Sequence, residues 1–296
     1  MTYVGRYAPS PTGHLHFGSL VAAVGSYLDA RTQGGRWLLR MEDLDPPREI
    51  PGAADGILKT LAAFGFEWDG EVLYQSRRQP AYAEAADMLL KAGAAFPCAC
   101  SRKEIADSGV HGLEGPIYPG TCRRGLAPGR EARALRLRTP DEVISFEDGL
   151  QGHVSQNLAR DIGDFIVRRA DGIYAYQLAV VVDDAFQGVT HVVRGADLLL
   201  STPRQLLLQR LLGLPQPHYL HLPVVVNTSG EKLSKQTHAR PVTDANPGSG
   251  LWEALDFLCQ DPPEALKGAS IKEIWPWALS HWRREPLRGL SSQIID

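Results

Sequence analysis

The chain has 296 residues, 44% of them hydrophobic and 22% charged, with a net charge of −3 and a sequence pI near 6.3. A chain of this size buries a core of its own, probing two or three domains, and its four cysteines are too few for a disulfide-stapled secreted scaffold. The N-terminus lacks a basic-then-apolar signal pattern and no apolar run is long enough to span a bilayer, so the expectation is a cytoplasmic protein with no membrane partner. The acidic balance does not announce a nucleic-acid binder. A local basic face remains open at Arg123, Arg124, Arg130, Arg133, Arg136 and Arg138, against the plainer reading of a solvated surface.

Val4–Tyr7 reads as a buried strand that Pro9 and Pro11 bring to a stop. Gly13 permits a sharp turn, and Gly18 permits a close approach at the mouth of a helix over about 19–33, which Gly34 and Gly35 end. The alternation of Trp37, Leu39 and Met41 predicts a second strand over 36–42. Strand, helix and strand in that order imply a parallel sheet. Helices follow at about 52–64 and 80–92. From 96 to about 158 the texture changes to clustered cysteines, glycines, prolines and short alternating stretches, predicting an inserted subdomain instead of another sheet layer. The α/β pattern resumes through YQLAVVVDDAF and GVTHVVRGAD, Ser201 or Thr202 caps a helix with Pro203 in its first turn, and HLPVVVN reads as one last buried strand. The tail from about 248 is helical, and Trp252, Trp275, Trp277 and Trp282 predict the core of a small bundle.

Two distant stretches demand the same chemistry. HLHFG (14–18) sits at a strand-to-helix junction, where anions bind, so His14 and His16 are placed over a phosphate. A histidine N–H there stabilises the charge that grows on an attacked α-phosphate, and losing such a donor costs ~10²–10³ in rate. EKLSK (231–235) carries Lys232 and Lys235 in a glycine-containing loop, where compact ammonium groups can follow a moving charge.

APSPTGHLHFGS resembles the HIGH-type signature of class I aminoacyl-tRNA synthetases, with His16-Phe17-Gly18-Ser19 in register, and KLSKQ resembles their KMSKS loop. RYAPSPTG, LLRMEDLD, YQLAVVVDD, GVTHVVRGADLL, TPRQ and HLPVVVN resemble the catalytic half of glutamyl-tRNA synthetases, from about residue 3 to 238. Ser19 and Gln236 depart from the family pattern, and both lysines are kept. The resemblance implies a Rossmann-type parallel-sheet α/β catalytic domain with an inserted zinc-bearing subdomain and a short helical C-terminal region, divided as 1–95, 96–158, 159–226 and 227–296. It implies His16, Lys232 and Lys235 as catalytic stabilisers, His16, Gly18 and Lys235 as ATP contacts with Mg²⁺ on the phosphates, and Arg6, Tyr7, Ala8, Pro9, Ser10, Glu42, Tyr176 and Arg194 as the L-glutamate pocket. A dianionic amino acid requires cationic anchors, which guanidinium groups provide bidentately, and an acceptor for its ammonium, which Glu42 provides.

Cys98, Cys100 and Cys122 form a cluster that in a cytosolic protein favours metal over disulfide, and three thiolates leave one tetrahedral zinc position open. General ligand frequency favours His111 for the fourth position, whereas the family's Y-x-x-x-C pattern implies Tyr118. A structural zinc site contributes ~10–16 kcal/mol of apparent binding energy to folding. Cys259 reads as a small buried hydrophobe.

About sixty residues follow Gln236, too few for an anticodon-reading domain. The chain is similar throughout to a short paralogue family, the glutamyl-queuosine tRNA(Asp) synthetases. That resemblance implies tRNA-independent glutamate activation and transfer to the cyclopentenediol of queuosine in tRNA(Asp); a monomer is the default expectation. The alternatives are a minimal enzyme charging the 3′ end of tRNA(Glu), a general nucleotidylyltransferase and a non-catalytic amino-acid sensor.

Overall fold

The computed structural model describes residues 2–109, 111–231, 242 and 245–294, so Lys232 and Lys235 lie outside the described residues. Strand β1 (Val4–Tyr7) leads into helix α1 (Phe17–Thr32), which returns to β2 (Arg36–Met41) lying parallel to β1 with Val4 opposite Arg36 and Tyr7 opposite Leu39. After α2 (Ala53–Ala63), the short β3 (Leu73–Tyr74) extends the sheet beyond β2, and α3 (Gln79–Lys91) follows. On the far side of β1, the Thr190 N–H donates to the Val4 carbonyl at 2.9 Å and the Val4 N–H to Thr190 Oγ1 at 2.9 Å. These bonds bring β11 (His191–Gly195) beside β1, with β12 (His218–Leu222) parallel to β11. The order β3-β2-β1-β11-β12 reverses direction between β1 and β11. A doubly wound sheet opens a crevice for ligands at such a reversal, outside the carboxyl ends of the strands.

The intervening chain builds on two sheets. Strands β4 (Ala95–Cys98), β7 (Ala134–Leu137) and β10 (Ile166–Arg168) pair antiparallel in the order β10-β7-β4, with α4 (Arg102–Ala106) and a small β5 (His111–Gly112) and β6 (Gly115–Pro116) ladder between β4 and β7. The hairpin of β8 (Val143–Asp148) and β9 (Gly152–Asn157) instead joins the main sheet, with Asp148 opposite Tyr219 of β12. A short α5 (Leu158–Asp161) ends this stretch, so the 96–158 segment contributes strands to the catalytic layer as well as its own ladder.

Helix α6 (Tyr176–Phe186) and α7 (Thr202–Leu212) cover the second half. Ser201 occupies the N-cap of α7 but its side chain makes no capping bond; its hydroxyl accepts from Gln177 Nε2 at 3.1 Å and from Arg204 Nη2 at 3.1 Å. The predicted single strand HLPVVVN is two. Pro223, which has no N–H to give to a ladder, separates β12 from β13 (Val224–Val226), and β13 pairs with β14 (Ser292–Ile294).

The tail differs from an independent bundle. Helices α8 (Pro247–Phe257) and α9 (Ile271–His281) share one apolar cluster with β1, α1 and β2, in which Trp252 and Trp275 are buried and Trp277 and Trp282 pack at the margin. Trp275 Nε1 donates to the Phe64 carbonyl at 2.9 Å, and Trp282 Nε1 donates to the buried Asp29 at 3.2 Å. Helix α1 is therefore covered on several sides, and a Cβ at Gly25 would lie 2.5 Å from Leu222 Cδ1, a close approach of helix and strand that no larger residue allows. Cys259 is half-buried, with Gln293 Nε2 donating to its sulfur at 3.4 Å. No helix among the described residues is long and apolar enough to cross a membrane.

Asp183 ties α6 to α3 and the turn before it, accepting from Gln75 Nε2 at 2.9 Å, Arg78 Nε at 2.6 Å and Tyr82 Oη at 2.6 Å while fully buried. Removing the shared acceptor strands two buried donors, Gln75 and Tyr82, and the half-buried Arg78. Asp183→Ala is expected to lower unfolding free energy in urea by about 3–5 kcal/mol, whereas Arg160→Ala, which breaks an exposed pair with Asp141, is expected to leave the urea midpoint unchanged.

Candidate active site and metal centre

The loop after β1 delivers His16 to the N-cap of α1. His16 Nδ1 accepts from the Ser19 backbone N–H at 3.3 Å, which places the ring proton on Nε2, and Nε2 lies 3.0 Å from Ser19 Oγ. The departure from the family pattern at Ser19 thus supplies a hydroxyl partner for the histidine. A Cβ at Gly18 would stand 3.3 Å from Cε1 and Nδ1 of His16, so the bare glycine makes room for the imidazole to fold over the helix mouth. His14 is exposed, and Ser10 is exposed on the same loop. Tyr7 is buried with its hydroxyl donating to the Ser19 carbonyl at 3.1 Å, and the Pro9 carbonyl accepts the Glu42 N–H at 2.9 Å, so the loop is fastened both to α1 and to the end of β2. Ala8 is half-buried between these two anchors.

The floor of the crevice is a charge cluster. Arg6 on β1 donates from Nε to Asp184 Oδ1 at 3.2 Å, and Arg40 on β2 donates from Nη1 to the same oxygen at 2.7 Å. Arg40 also reaches Gln187 Oε1 at 2.9 Å and Glu42 Oε1 at 3.3 Å. Burial raises the Asp184 carboxyl, but the two guanidinium groups outweigh it and hold Asp184 below its ordinary range. Glu42 has the opposite balance: burial dominates over Arg40 and Arg6 and raises it, and its Oε2 carries no partner among the described residues. Arg194 near the end of β11 is 5% exposed, yet no carboxylate among the described residues pairs with it. Its partners are neutral: Thr202 Oγ1 at 2.8 Å, His221 Nε2 at 3.0 Å and the Tyr176 hydroxyl at 3.4 Å. Three guanidinium groups around Asp184 and Glu42 thus leave one positive charge in excess at the crevice. Leaving a buried cation without an ionic partner costs several kcal/mol, a cost that an anionic ligand relieves.

The structure gathers the sulfur atoms of Cys98, Cys100 and Cys122 within 4.8 Å of one another. The Tyr118 hydroxyl lies 3.8 Å from Cys100 Sγ and accepts the Cys122 backbone N–H at 2.6 Å. Arg136 Nε donates to Cys98 Sγ at 3.3 Å and the Ala99 N–H to Cys122 Sγ at 3.5 Å, the kind of outer contact that supports thiolate charge in a metal site. Burial and the neighbouring Cys122 push the Cys100 thiol up to about 11. The donor set and its surroundings fit a metal ion. His111 is exposed, donates from Nδ1 to the Gly109 carbonyl at 3.2 Å, and does not belong to the group.

The six arginines of the expected basic face divide by partner. Arg136 is buried on Cys98 and the Asp164 carbonyl, Arg130 binds Glu104 at 2.7 Å, and Arg123 binds Asp164 at 2.8 Å. Arg124 and Arg133 are exposed without an ionic partner among the described residues, and Arg138 rests on the Gly93 carbonyl and the face of Phe96. Arg123, Arg124 and Arg138 line a cavity of about 600 Å³ with Thr121, Thr139 and Asp164.

Residues 3–247 match the family described as tRNA synthetases class I (E and Q), catalytic domain. The chain is 63% identical over 95% of its length to the glutamyl-Q tRNA(Asp) synthetase of Dechloromonas aromatica (strain RCB), covering 94% of that protein. It is 60% identical over 95% of its length to the glutamyl-Q tRNA(Asp) synthetase of Chromobacterium violaceum, covering 93% of it. The chain belongs to the glutamyl-Q tRNA(Asp) synthetase family of class I. Its fold is that of the glutamate-tRNA synthetase from Elizabethkingia anophelis, with a TM-score of 0.79 at 23% identity over 100% of this chain and 68% of that one. The expected Rossmann-type α/β architecture is the one observed, and the protein is an enzyme of the ligase class.

In this synthetase-type site, sequence reasoning names Arg6, Glu42, Tyr176 and Arg194 and misses Arg40, Asp184, Asp148 and His221. The signal for Arg40 and Asp184 is a charge inside an otherwise apolar run, in RWLLRM and VVVDDAF.

The metal assignment is open to a direct measurement. The protein loaded with cobalt(II) is expected to show thiolate-to-metal absorption that Cys100→Ala abolishes and His111→Ala leaves intact. Loss of the signal in His111→Ala would transfer the fourth position to that histidine.

Proposed function

We propose that the protein activates L-glutamate with ATP, without tRNA, and transfers the glutamyl group to the cyclopentenediol of queuosine at the wobble position of tRNA(Asp). The observation that carries this reading is the 63% identity along 95% of the chain to a glutamyl-Q tRNA(Asp) synthetase. The site makes chemical sense of it. Arg194, with no carboxylate partner among the described residues, supplies a cation for one substrate carboxylate, and Arg6 supplies a second edge of the same crevice. The unengaged Oε2 of Glu42 accepts from the substrate ammonium, beside Tyr176, with the backbone of Tyr7 to Ser10 closing the pocket wall.

In the first step a glutamate carboxylate oxygen attacks the α-phosphorus of ATP and pyrophosphate leaves. In the second, a ring hydroxyl of queuosine attacks the activated carbonyl and AMP leaves. His16 donates from Nε2–H to the α-phosphate at the helix mouth beside Gly18, and Lys232 and Lys235 stabilise the departing charge. ATP would bring Mg²⁺ on its phosphates, whose charge the ion would offset. Cys98, Cys100, Cys122 and Tyr118 would hold a zinc ion, which would supply a structural crosslink for the inserted subdomain within residues 96–158. Phosphates of the anticodon stem-loop meet Arg124, Arg133 and Arg138 on that insert, including the cavity beside the cysteines. The enzyme acts in the cytoplasm as a monomer, with 1–95 and 159–226 forming the catalytic halves and 227–296 carrying the lysine loop and tail.

Labelled glutamate offered with ATP is expected to enter queuosine-containing tRNA(Asp) and to leave tRNA(Asp) without queuosine unlabelled. Label on tRNA(Glu) instead would make this a minimal charging enzyme. The role of His16 separates from its helix cap through asparagine, which caps well. His16→Asn is expected to keep thermal stability and to slow glutamate-dependent ATP–pyrophosphate exchange by ~10²–10³. Exchange at the unaltered rate would remove His16 from the phosphate.

A further inference from the structure

Behind the guanidinium of Arg194 stand two residues in series, His221 and Asp148. His221 is fully buried and stands opposite Arg194 in the parallel pairing of β11 and β12. Its Nδ1 lies 2.6 Å from Asp148 Oδ2, at the end of β8. Asp148 Oδ1 accepts from three backbone N–H groups: Leu150 at 3.0 Å, Gln151 at 2.9 Å and His221 at 3.2 Å. A carboxylate so surrounded by donors is acceptor-only. His221 must therefore carry its proton on Nδ1 and present a lone pair at Nε2, and this lone pair is what Arg194 Nε meets at 3.0 Å. Burial keeps the imidazole neutral. On the other side of the guanidinium, Nη2 is held by Thr202 Oγ1 at 2.8 Å and the Leu198 carbonyl at 3.4 Å. Nη1 is left toward the crevice, its one partner among the described residues being the Tyr176 hydroxyl at 3.4 Å, a hydroxyl that also feels Glu42 and Arg6.

We propose that Asp148 and His221 are positioning residues that lock one imidazole tautomer and so aim the Nη1 edge of Arg194 at the substrate carboxylate. The proposal rests on the reading of Arg194 as a glutamate anchor. The relay orients the cation without neutralising it, since the group in contact is an uncharged imidazole. It also runs from the β8–β9 hairpin, at the edge of the inserted segment, to the amino-acid pocket.

Asp148→Asn tests the tautomer. The new amide can place an N–H against Nδ1, which moves the ring proton to Nε2 and sets two N–H groups against each other at Arg194, the error that an analogous substitution produces in a serine protease triad. In glutamate-dependent ATP–pyrophosphate exchange, Asp148→Asn and His221→Leu are expected to raise the KM for glutamate roughly 10- to 100-fold, the size of a lost hydrogen bond to a charged group, with the KM for ATP unchanged. His221→Gln, whose side-chain oxygen can accept from Arg194 Nε, is expected to recover most of that loss. Equal rises in both KM values, or no rescue by glutamine, would overturn the proposal.

Arg194→Leu separates the proposal from the reading beneath it. If it raises the glutamate KM while Asp148→Asn and His221→Leu do not, the relay is wrong and the pocket stands. If it leaves the glutamate KM unchanged, both fall together. A ¹⁵N spectrum of histidine-labelled protein, with His221 assigned through His221→Gln, reads the tautomer without any kinetic variant of Asp148. Protonation at Nε2 in the unaltered enzyme would overturn the proposal.

Discussion

The carboxylate of Asp184, shared by two guanidinium groups, is the contact on which the crevice depends. Arg6 comes from β1, Arg40 from β2 and Asp184 from α6, so one buried oxygen, Oδ1, ties together the two strands beside the sheet's reversal and the helix packed on them. Buried ion pairs of this kind are costly to assemble and contribute more to a fixed geometry than to stability. The adjacent Asp183 faces the other way, toward Gln75, Arg78 and Tyr82. The Asp183-Asp184 dipeptide therefore fixes α6 to α3 with one side chain and to the parallel sheet with the next. Tyr176, about two turns earlier in the same helix, is held beside Arg194 by the same anchoring.

Contiguous motifs were legible where their chemistry is local. His16, Gly18 and Ser19 fall within one turn, and their geometry follows from a strand running into a helix. Cys98, Cys100 and Cys122 were legible as a group because two of them are separated by a single residue in CAC and metal chemistry restricts what such a set can do. The partnerships of Arg40 with Asp184 and of Arg194 with His221 were not. The first spans 144 positions, the second depends on which residues face each other across parallel strands, and neither distance nor register is written in local periodicity. The helical tail was misjudged for a related reason: apolar periodicity shows that Trp252 and Trp275 are buried, but not that α1 is the surface that buries them. Pro223 was visible throughout, yet the apolar run HLPVVV outweighed it until the ladders showed two strands with different neighbours.

The inserted segment reaches the catalytic layer along two physical routes. Glu114, beside the small β5–β6 ladder, makes a bidentate pair with Arg204 at 2.6 and 2.7 Å, and Arg204 contacts Ser201, whose hydroxyl holds Gln177 next to Tyr176. Asp148 reaches Arg194 through His221. Around the cysteines, Arg136 binds Cys98 with Nε and the Asp164 carbonyl with Nη1, so the cysteine cluster is also bonded to the wall of the arginine-lined cavity. Arg124 and Arg133, exposed and without an acidic partner among the described residues, sit on a support that is itself bonded to Arg194 and to Gln177.

The difference between Arg6 and Arg194 follows from what each contacts. A carboxylate against Arg194, as Asp184 stands against Arg6, would orient the guanidinium equally well but would cancel the charge that draws an anion into the crevice. Water in that place would leave the charge intact and the orientation loose. A neutral imidazole satisfies both demands: it takes the Nε proton in a fixed direction and leaves the guanidinium charge undiminished. It can do so only in one tautomer, and a carboxylate on its far side is the simplest way to enforce that tautomer. Asp148 in turn needs donors to remain charged while buried, and the tight turn after β8 provides two backbone N–H groups for it. The orientation of one buried guanidinium thus depends, residue by residue, on the conformation of a hairpin turn.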